Sequence, residues 1–131
     1  MNRNFLSVAA LLGAISVILG AFAAHKLRAI ADAHTVEIFE TGVRYQFYHT
    51  FALFIVAFLA EKINNKWMIW AGNCFITGII LFCGSLYALT ALRIAENAHQ
   101  KIAGVATPIG GIFFILGWIF LYIGITRKEK P

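Results

Sequence analysis

Four long stretches without a charged residue occupy most of this 131-residue chain, and each is close to the length a helix needs to cross a bilayer. About 30 Å of hydrocarbon requires roughly 20 helical residues. Asn4 to Ala24 is 21 residues long, Trp67 to Leu92 is 26, and Ile102 to Thr126 is another such run. Tyr45 to Ala60 is only 16. It is preceded by a polar stretch, Thr35 to Arg44, that reads as helix with Asp32 or Thr35 as its N-cap. One helix from about Thr35 to Ala60 follows, its first turns lying along the interface. The expected fold is all-α: an integral membrane four-helix bundle, one domain over residues 1–131, with spans at about 4–24, 43–61, 67–92 and 105–126. A longer first connector and two shorter ones join them. Pro108 falls near the beginning of the fourth helix, where a missing N–H costs least.

Composition closes the other classes. The chain is 60% hydrophobic and 13% charged, against about 25% charged in an ordinary soluble domain. Twelve Phe, two Pro and two Cys exclude disordered, collagenous and disulfide-framework chains. The net charge of +5 comes from residues scattered through the connectors, so it reads as cationic loops beside lipid headgroups; no nucleic-acid partner is expected. Ala21-Phe22-Ala23 imitates a signal-peptidase site, but the apolar run before it exceeds the usual 7–15 residues, so it is read as an uncleaved first span. Cys74 and Cys83 lie nine residues apart in one helix, about 13.5 Å along its axis, too far to bridge. With no His within a turn of either, no metal site is assigned, and no cofactor is assigned.

Small residues mark the helix contacts. Ala9, Gly13, Ser16, Gly20 and Ala24 share one face of the first helix, and Gly110, Gly117 and Gly124 repeat every seven residues in the fourth. Cys74, Gly78, Ser85 and Ala88 fall on a common face of the third. In lipid, where association depends on dispersion between close backbones, such faces are where neighbours dock.

An even number of spans places both termini and the second connector on one side. That side carries Arg3, Lys62, Lys66, Arg127, Lys128 and Lys130, six basic residues against the five of the other side, Lys26, Arg28, Arg44, Arg93 and Lys101. Six against five is nearly a tie, and the dense basic tail Arg127-Lys128-Glu129-Lys130 tips it towards cytoplasmic termini. Trp67, Trp70 and Tyr122 lie towards the same face, as an aromatic belt would. Bacterial inner membrane is favoured over mitochondrial inner membrane because no Arg/Ser-rich transit segment precedes the first span.

The remaining strongly polar residues, Asn73 excepted, gather towards the opposite end. His25 closes the first helix, Tyr45, Gln46 and His49 lie in the outer half of the second, Ser85 and Tyr87 in the last turns of the third, and Thr107 and Pro108 open the fourth. Gly42, Tyr45, His49 and Ala52 share a face that should turn inward. A single polar pocket at that end of the bundle, floored by Phe and Leu, is the expectation. His49 is its focus, because an ionisable group inside a span is costly and points to function by default. The plain alternative is an imidazole that fastens helices through hydrogen bonds. Glu37, Glu40 and Arg44, spaced by three and four, read as a helix surface.

The stretches Leu19–His25, Thr41–His49, Leu81–Tyr87 and Thr107–Gly111, with Gly117-Trp118, together resemble the small integral membrane proteins grouped as domain of unknown function 423 (DUF423), whose animal relatives are called transmembrane protein 256. The resemblance spans nearly the whole chain and all four helices. Ala23 stands where that family commonly has a glycine. It implies a four-span membrane protein and no reaction.

Two functional readings follow. The first is an accessory or assembly protein that contacts the lipid bilayer, a larger membrane complex or a second copy of itself. The second is a site for a lipophilic small molecule or cofactor, a quinone or a haem, held beside His25 and His49. No catalytic residue is assigned, because no nucleophile–base–orienter set or phosphate loop is present. A small transporter is disfavoured, since all six carboxylates lie in connectors, the interfacial helix start or the tail.

Overall fold

The computed structural model describes residues 2–128. Four helices, α1 (Arg3–Ile30), α2 (Ala33–Lys62), α3 (Lys66–Ile94) and α4 (Gln100–Thr126), run alternately up and down, and all are long and apolar enough to cross a membrane. The chain is an all-α membrane bundle. Glu129 and Lys130 of the basic tail lie outside the described residues.

Caps explain where the helices begin. Asn2 accepts from the Phe5 N–H, Asp32 from the Thr35 N–H at 2.8 Å, and Asn65 from Trp67 and Met68. Of the two candidate caps for α2, Asp32 takes the position. Hydrogen bonds from Thr35 hold its carboxyl below the usual carboxylate range, with a smaller contribution from Arg93.

Two differences from expectation concern helix continuity. The first connector is the shortest, not the longest. A wide, π-type turn over Ala23–Leu27 carries α1 on to Ile30, and α2 restarts at Ala33; the polar stretch Thr35–Arg44 is helical, as expected. The fourth helix begins at Gln100, which puts Pro108 inside it; the Gly104 carbonyl therefore receives no N–H from Pro108. A second wide turn interrupts α3 over Ile79–Cys83.

Packing is sequential: α1 on α2, α2 on α3, and most extensively α3 on α4. The α3–α4 seam is a run of knobs and holes. A side chain at Gly110 would overlap the backbone of Phe82; at Gly117 it would reach 2.6 Å from the Phe75 ring, and at Gly124 2.7 Å from Met68. In between, Phe114 fills the space over Gly78. Partners step by seven in opposite directions along the two helices, as antiparallel neighbours with a heptad contact line must. Phe75, Met68, Ala71 and Cys83 are fully buried beside it. The glycines of α1 behave differently. Gly13 and Gly20 meet Thr50 and Val43 at 3.9 and 3.7 Å, ordinary contact, while Ala9 and Ser16 are the closed positions. The small-residue stripe also ends on buried Ala23, with Ala24 exposed, and Ala88 of the α3 face is exposed as well. Gly72, where a Cβ would run into the Phe5 ring, and Gly42, where it would come within 2.8 Å of the Tyr87 ring, are further close approaches.

Helices α2 and α4 make no comparable backbone approach. They run parallel on either side of α3, and side chains bridge the space between them. That gap positions the site.

Candidate functional site

His49 stands near the middle of α2, buried to 4% exposure, and α4 supplies its surroundings. Its Nδ1 lies 2.7 Å from the Tyr45 carbonyl, four residues earlier. A carbonyl only accepts, so Nδ1 carries the proton. Trp118 Nε1–H, which can only donate, reaches His49 Nε2 at 3.1 Å. Both nitrogens are engaged, and the pattern defines one neutral tautomer. The Phe114 ring stacks on the imidazole with centroids 3.5 Å apart and planes 7° from parallel. Tyr45 lies roughly parallel to both, at 16° to His49 and 23° to Phe114.

Beside this stack is a cavity of about 540 Å³, lined by Tyr45, Tyr48, His49, Phe82, Gly111, Phe114, Ile115 and Trp118. Tyr48, Ile115 and Trp118 are exposed on the surface of the bundle, so the cavity opens sideways between α2 and α4. In a membrane, that direction is lipid. The walls are chiefly aromatic faces, and Gly111, with only the Phe82 ring at 3.9 Å, leaves its floor open. Its size lies in the range of ligand sites, about 300–1,000 Å³.

The other residues singled out in the sequence are placed in three further settings. Gln46 is buried between α1, α2 and α3: its Nε2 donates to the Leu12 carbonyl at 3.3 Å, and its Oε1 accepts from the Tyr87 hydroxyl at 2.7 Å. Ser16 donates to the same Leu12 carbonyl at 2.7 Å. Ser85 donates to the Phe82 carbonyl, inside the wide turn of α3, at 2.8 Å. Its single proton being used there, Thr107 must donate to it across 2.6 Å, which ties α4 to α3. His25 and Pro108 are exposed and line no part of the cavity. Of the eight expected together, only Tyr45 and His49 face the groove; Gln46 with Tyr87, and Ser85 with Thr107, fasten helices elsewhere. The single pocket at one end therefore resolves into a mid-bundle groove and two interhelical clasps. The reason is angular: Gln46 is one residue from Tyr45, about 100° around α2, and so addresses α1 and α3 instead of α4. His25 cannot pair with His49, being exposed at the far end of α1.

Trp118, Phe114, Phe82 and Tyr48 complete the groove and were not singled out. A usable signal was present for Trp118. It lies well inside a span, and an indole N–H surrounded by hydrocarbon needs an acceptor from the protein. Among the described residues no group of three or more His, Cys, Asp or Glu side chains could hold a metal ion.

Comparison with known proteins places the chain. A family model described as "Protein of unknown function (DUF423)" matches residues 19–111. The chain is 42% identical over 130 residues to a UPF0382 membrane protein of Haemophilus influenzae, covering 99% of each. It is 37% identical to the UPF0382 membrane protein YwdK of Bacillus subtilis, over 95% of this chain and 98% of that one. It is 33% identical to the UPF0382 inner membrane protein YgdD of Escherichia coli K12, over 98% of this chain and 94% of the relative. No solved structure matches. A bacterial inner membrane fits the relatives' names and the four apolar helices together. With the matched segment reaching from the end of α1 into α4, this small integral membrane protein belongs to the DUF423 family.

Proposed function

We propose that this protein is a lipid-interacting accessory protein of the membrane whose working surface is the aromatic groove between α2 and α4. One observation carries the reading: a cavity of about 540 Å³ opens at mid-helix towards lipid, and the His49–Trp118 bond ties its two walls together in register. Since both imidazole nitrogens are already hydrogen-bonded, His49 serves as a wall and a fastener. A second reading, a lipophilic cofactor, is favoured by the near-parallel rings of Tyr45, His49 and Phe114, which suit a flat ring such as a quinone headgroup. Haem held between His25 and His49 is not supported, because His25 faces away and His49 has no free nitrogen.

Gly111→Leu provides the test. A Cβ at Gly111 meets nothing closer than 3.9 Å, so the larger side chain enters the groove without disturbing the helix seam. Photoreactive phospholipid and photoreactive quinone probes, crosslinked in vesicles and mapped by mass spectrometry, should label Tyr48, Ile115 and Trp118 more strongly than the exposed α1 residues Leu11, Val17 and Ile18. Gly111→Leu should abolish that excess. Preferential labelling by the quinone probe would select the second reading. Uniform labelling along all exposed faces, unchanged by Gly111→Leu, would defeat both.

A further inference from the structure

A second cavity, of about 390 Å³, lies where α1 ends and α2 begins, enclosed by Arg28, Ala31, Ala33, Val36, Glu37 and Glu40. It shares no residue with the aromatic groove. Arg28 comes immediately after the wide turn Ala23–Leu27, and its Nη2 lies 3.1 Å from Glu40 Oε1. Glu37 is one turn before Glu40 on the same face of α2. Its carboxylate has no hydrogen-bonding or ionic partner among the described residues, whereas its backbone carbonyl accepts from Thr41.

Two carboxylates thus line the cavity with one guanidinium, while Arg44 on the next turn of α2 bonds to the Thr41 hydroxyl. Arg28 uses one of its five N–H donors on Glu40, and its side chain is 62% exposed, so donors remain for an outside acceptor. Ala31, Ala33 and Val36 make the rest of the wall apolar. The cavity sits at the end of two membrane-length helices, and helices that cross about 30 Å of hydrocarbon have their ends at the headgroups.

We propose that this cavity binds a headgroup bearing a primary ammonium next to a phosphodiester, the chemistry of an aminophospholipid. The ammonium lies between Glu37 and Glu40, and the phosphate engages the free edge of Arg28. A primary ammonium has three N–H donors for the two carboxylates, whereas a trimethylammonium has none. An anionic headgroup without an amine offers the same phosphodiester to Arg28 but no cation to offset the two carboxylates. Charge-assisted hydrogen bonds set the selectivity.

Native mass spectrometry of the full-length, delipidated protein in mild detergent tests this with phosphatidylethanolamine, phosphatidylcholine and phosphatidylglycerol of identical acyl chains. Phosphatidylethanolamine should be retained about tenfold better than either of the others, the scale set by one charge-assisted hydrogen bond. Glu37→Gln, which leaves the Arg28–Glu40 pair and the fold intact, should erase most of the preference over phosphatidylcholine. Arg28→Gln should weaken all three lipids. Adding soluble phosphoethanolamine separates the sources: displacement of bound lipid identifies the free headgroup as a sufficient ligand, and no displacement identifies the lipid. Equal retention of the three lipids, or a preference untouched by Glu37→Gln, would overturn the proposal. Because Gly111→Leu leaves this end unaltered, failure here is distinguishable from failure of the groove.

Discussion

Trp118 and His49 are 69 positions apart, and their hydrogen bond is the direct polar tie between α2 and α4 at the groove. Trp118→Phe removes the donor and leaves the Nε2 lone pair facing apolar rings. Interhelical hydrogen bonds of membrane proteins average about 0.6 kcal/mol and reach about 1.7, so unfolding in mixed micelles should show a loss within that range. His49→Ala should cost more, because it also removes the Phe114 stack and the bond to the Tyr45 carbonyl. A double-mutant cycle checks the coupling. Strict additivity of the two substitutions would mean that the bond contributes nothing. At this scale the sequence reveals one half of each contact. An imidazole inside an apolar run stands out by itself, but nothing local to Trp118 specifies which of the other helices provides its acceptor. Gln46 and Tyr87 illustrate the same limit: both are visible as polar residues in a span, yet their meeting at 2.7 Å depends on a helix pairing that spacing does not determine.

Between helices, a glycine announces a hole but not the knob that fills it. The heptad of Gly110, Gly117 and Gly124 was readable for that reason, while Phe82, Phe75 and Met68, which occupy it, look like any other apolar residues of α3. Nor does a glycine say how tight its contact is. Gly13 and Gly20 have room for a methyl group, and Gly72, which carries no periodic signature, has none. The wide turns over Ala23–Leu27 and Ile79–Cys83 contain no residue that breaks a helix and leave no trace in the pattern, which is why α1 was read as ending early. These distinctions make a set of alanine substitutions decisive. Gly110→Ala should destabilise the bundle by about 1–3 kcal/mol or more, the scale of overpacking, because the obstruction is the backbone of Phe82 and cannot rotate away. Gly111→Ala, one position on, should be neutral within about 0.5 kcal/mol. Gly13→Ala and Gly20→Ala should resemble Gly111→Ala. Thermal unfolding in one detergent ranks the four, and a harmless Gly110→Ala would refute the seam described for α3 and α4.

For the molecule as a whole, connector charge decides which way the bundle faces. Its four helices bring both termini to one side, together with the Lys66, Trp67, Trp70 and Arg127 cluster, in which Lys66 Nζ lies 5.4 and 5.1 Å from the two indoles and Arg127 5.8 Å from the first. Such a cluster anchors a membrane interface but does not distinguish inside from outside. Orientation therefore rests on the basic residues near the helix ends, six on the terminal side against five on the other. We expect the termini in the cytoplasm, so that a C-terminal fluorescent-protein fusion fluoresces and a C-terminal alkaline phosphatase fusion is inactive. A margin of one residue also predicts that the preference is weak. Lys62→Gln with Lys128→Gln lowers the terminal side to four and leaves Lys66 and Arg127 in place over Trp67. The pair should shift a measurable share of the molecules to the opposite orientation, read as a gain in phosphatase activity and a fall in fluorescence at equal expression. Full phosphatase activity in the unaltered protein would reverse the assignment. An unshifted ratio in the double variant would mean that helix packing and not connector charge sets the topology.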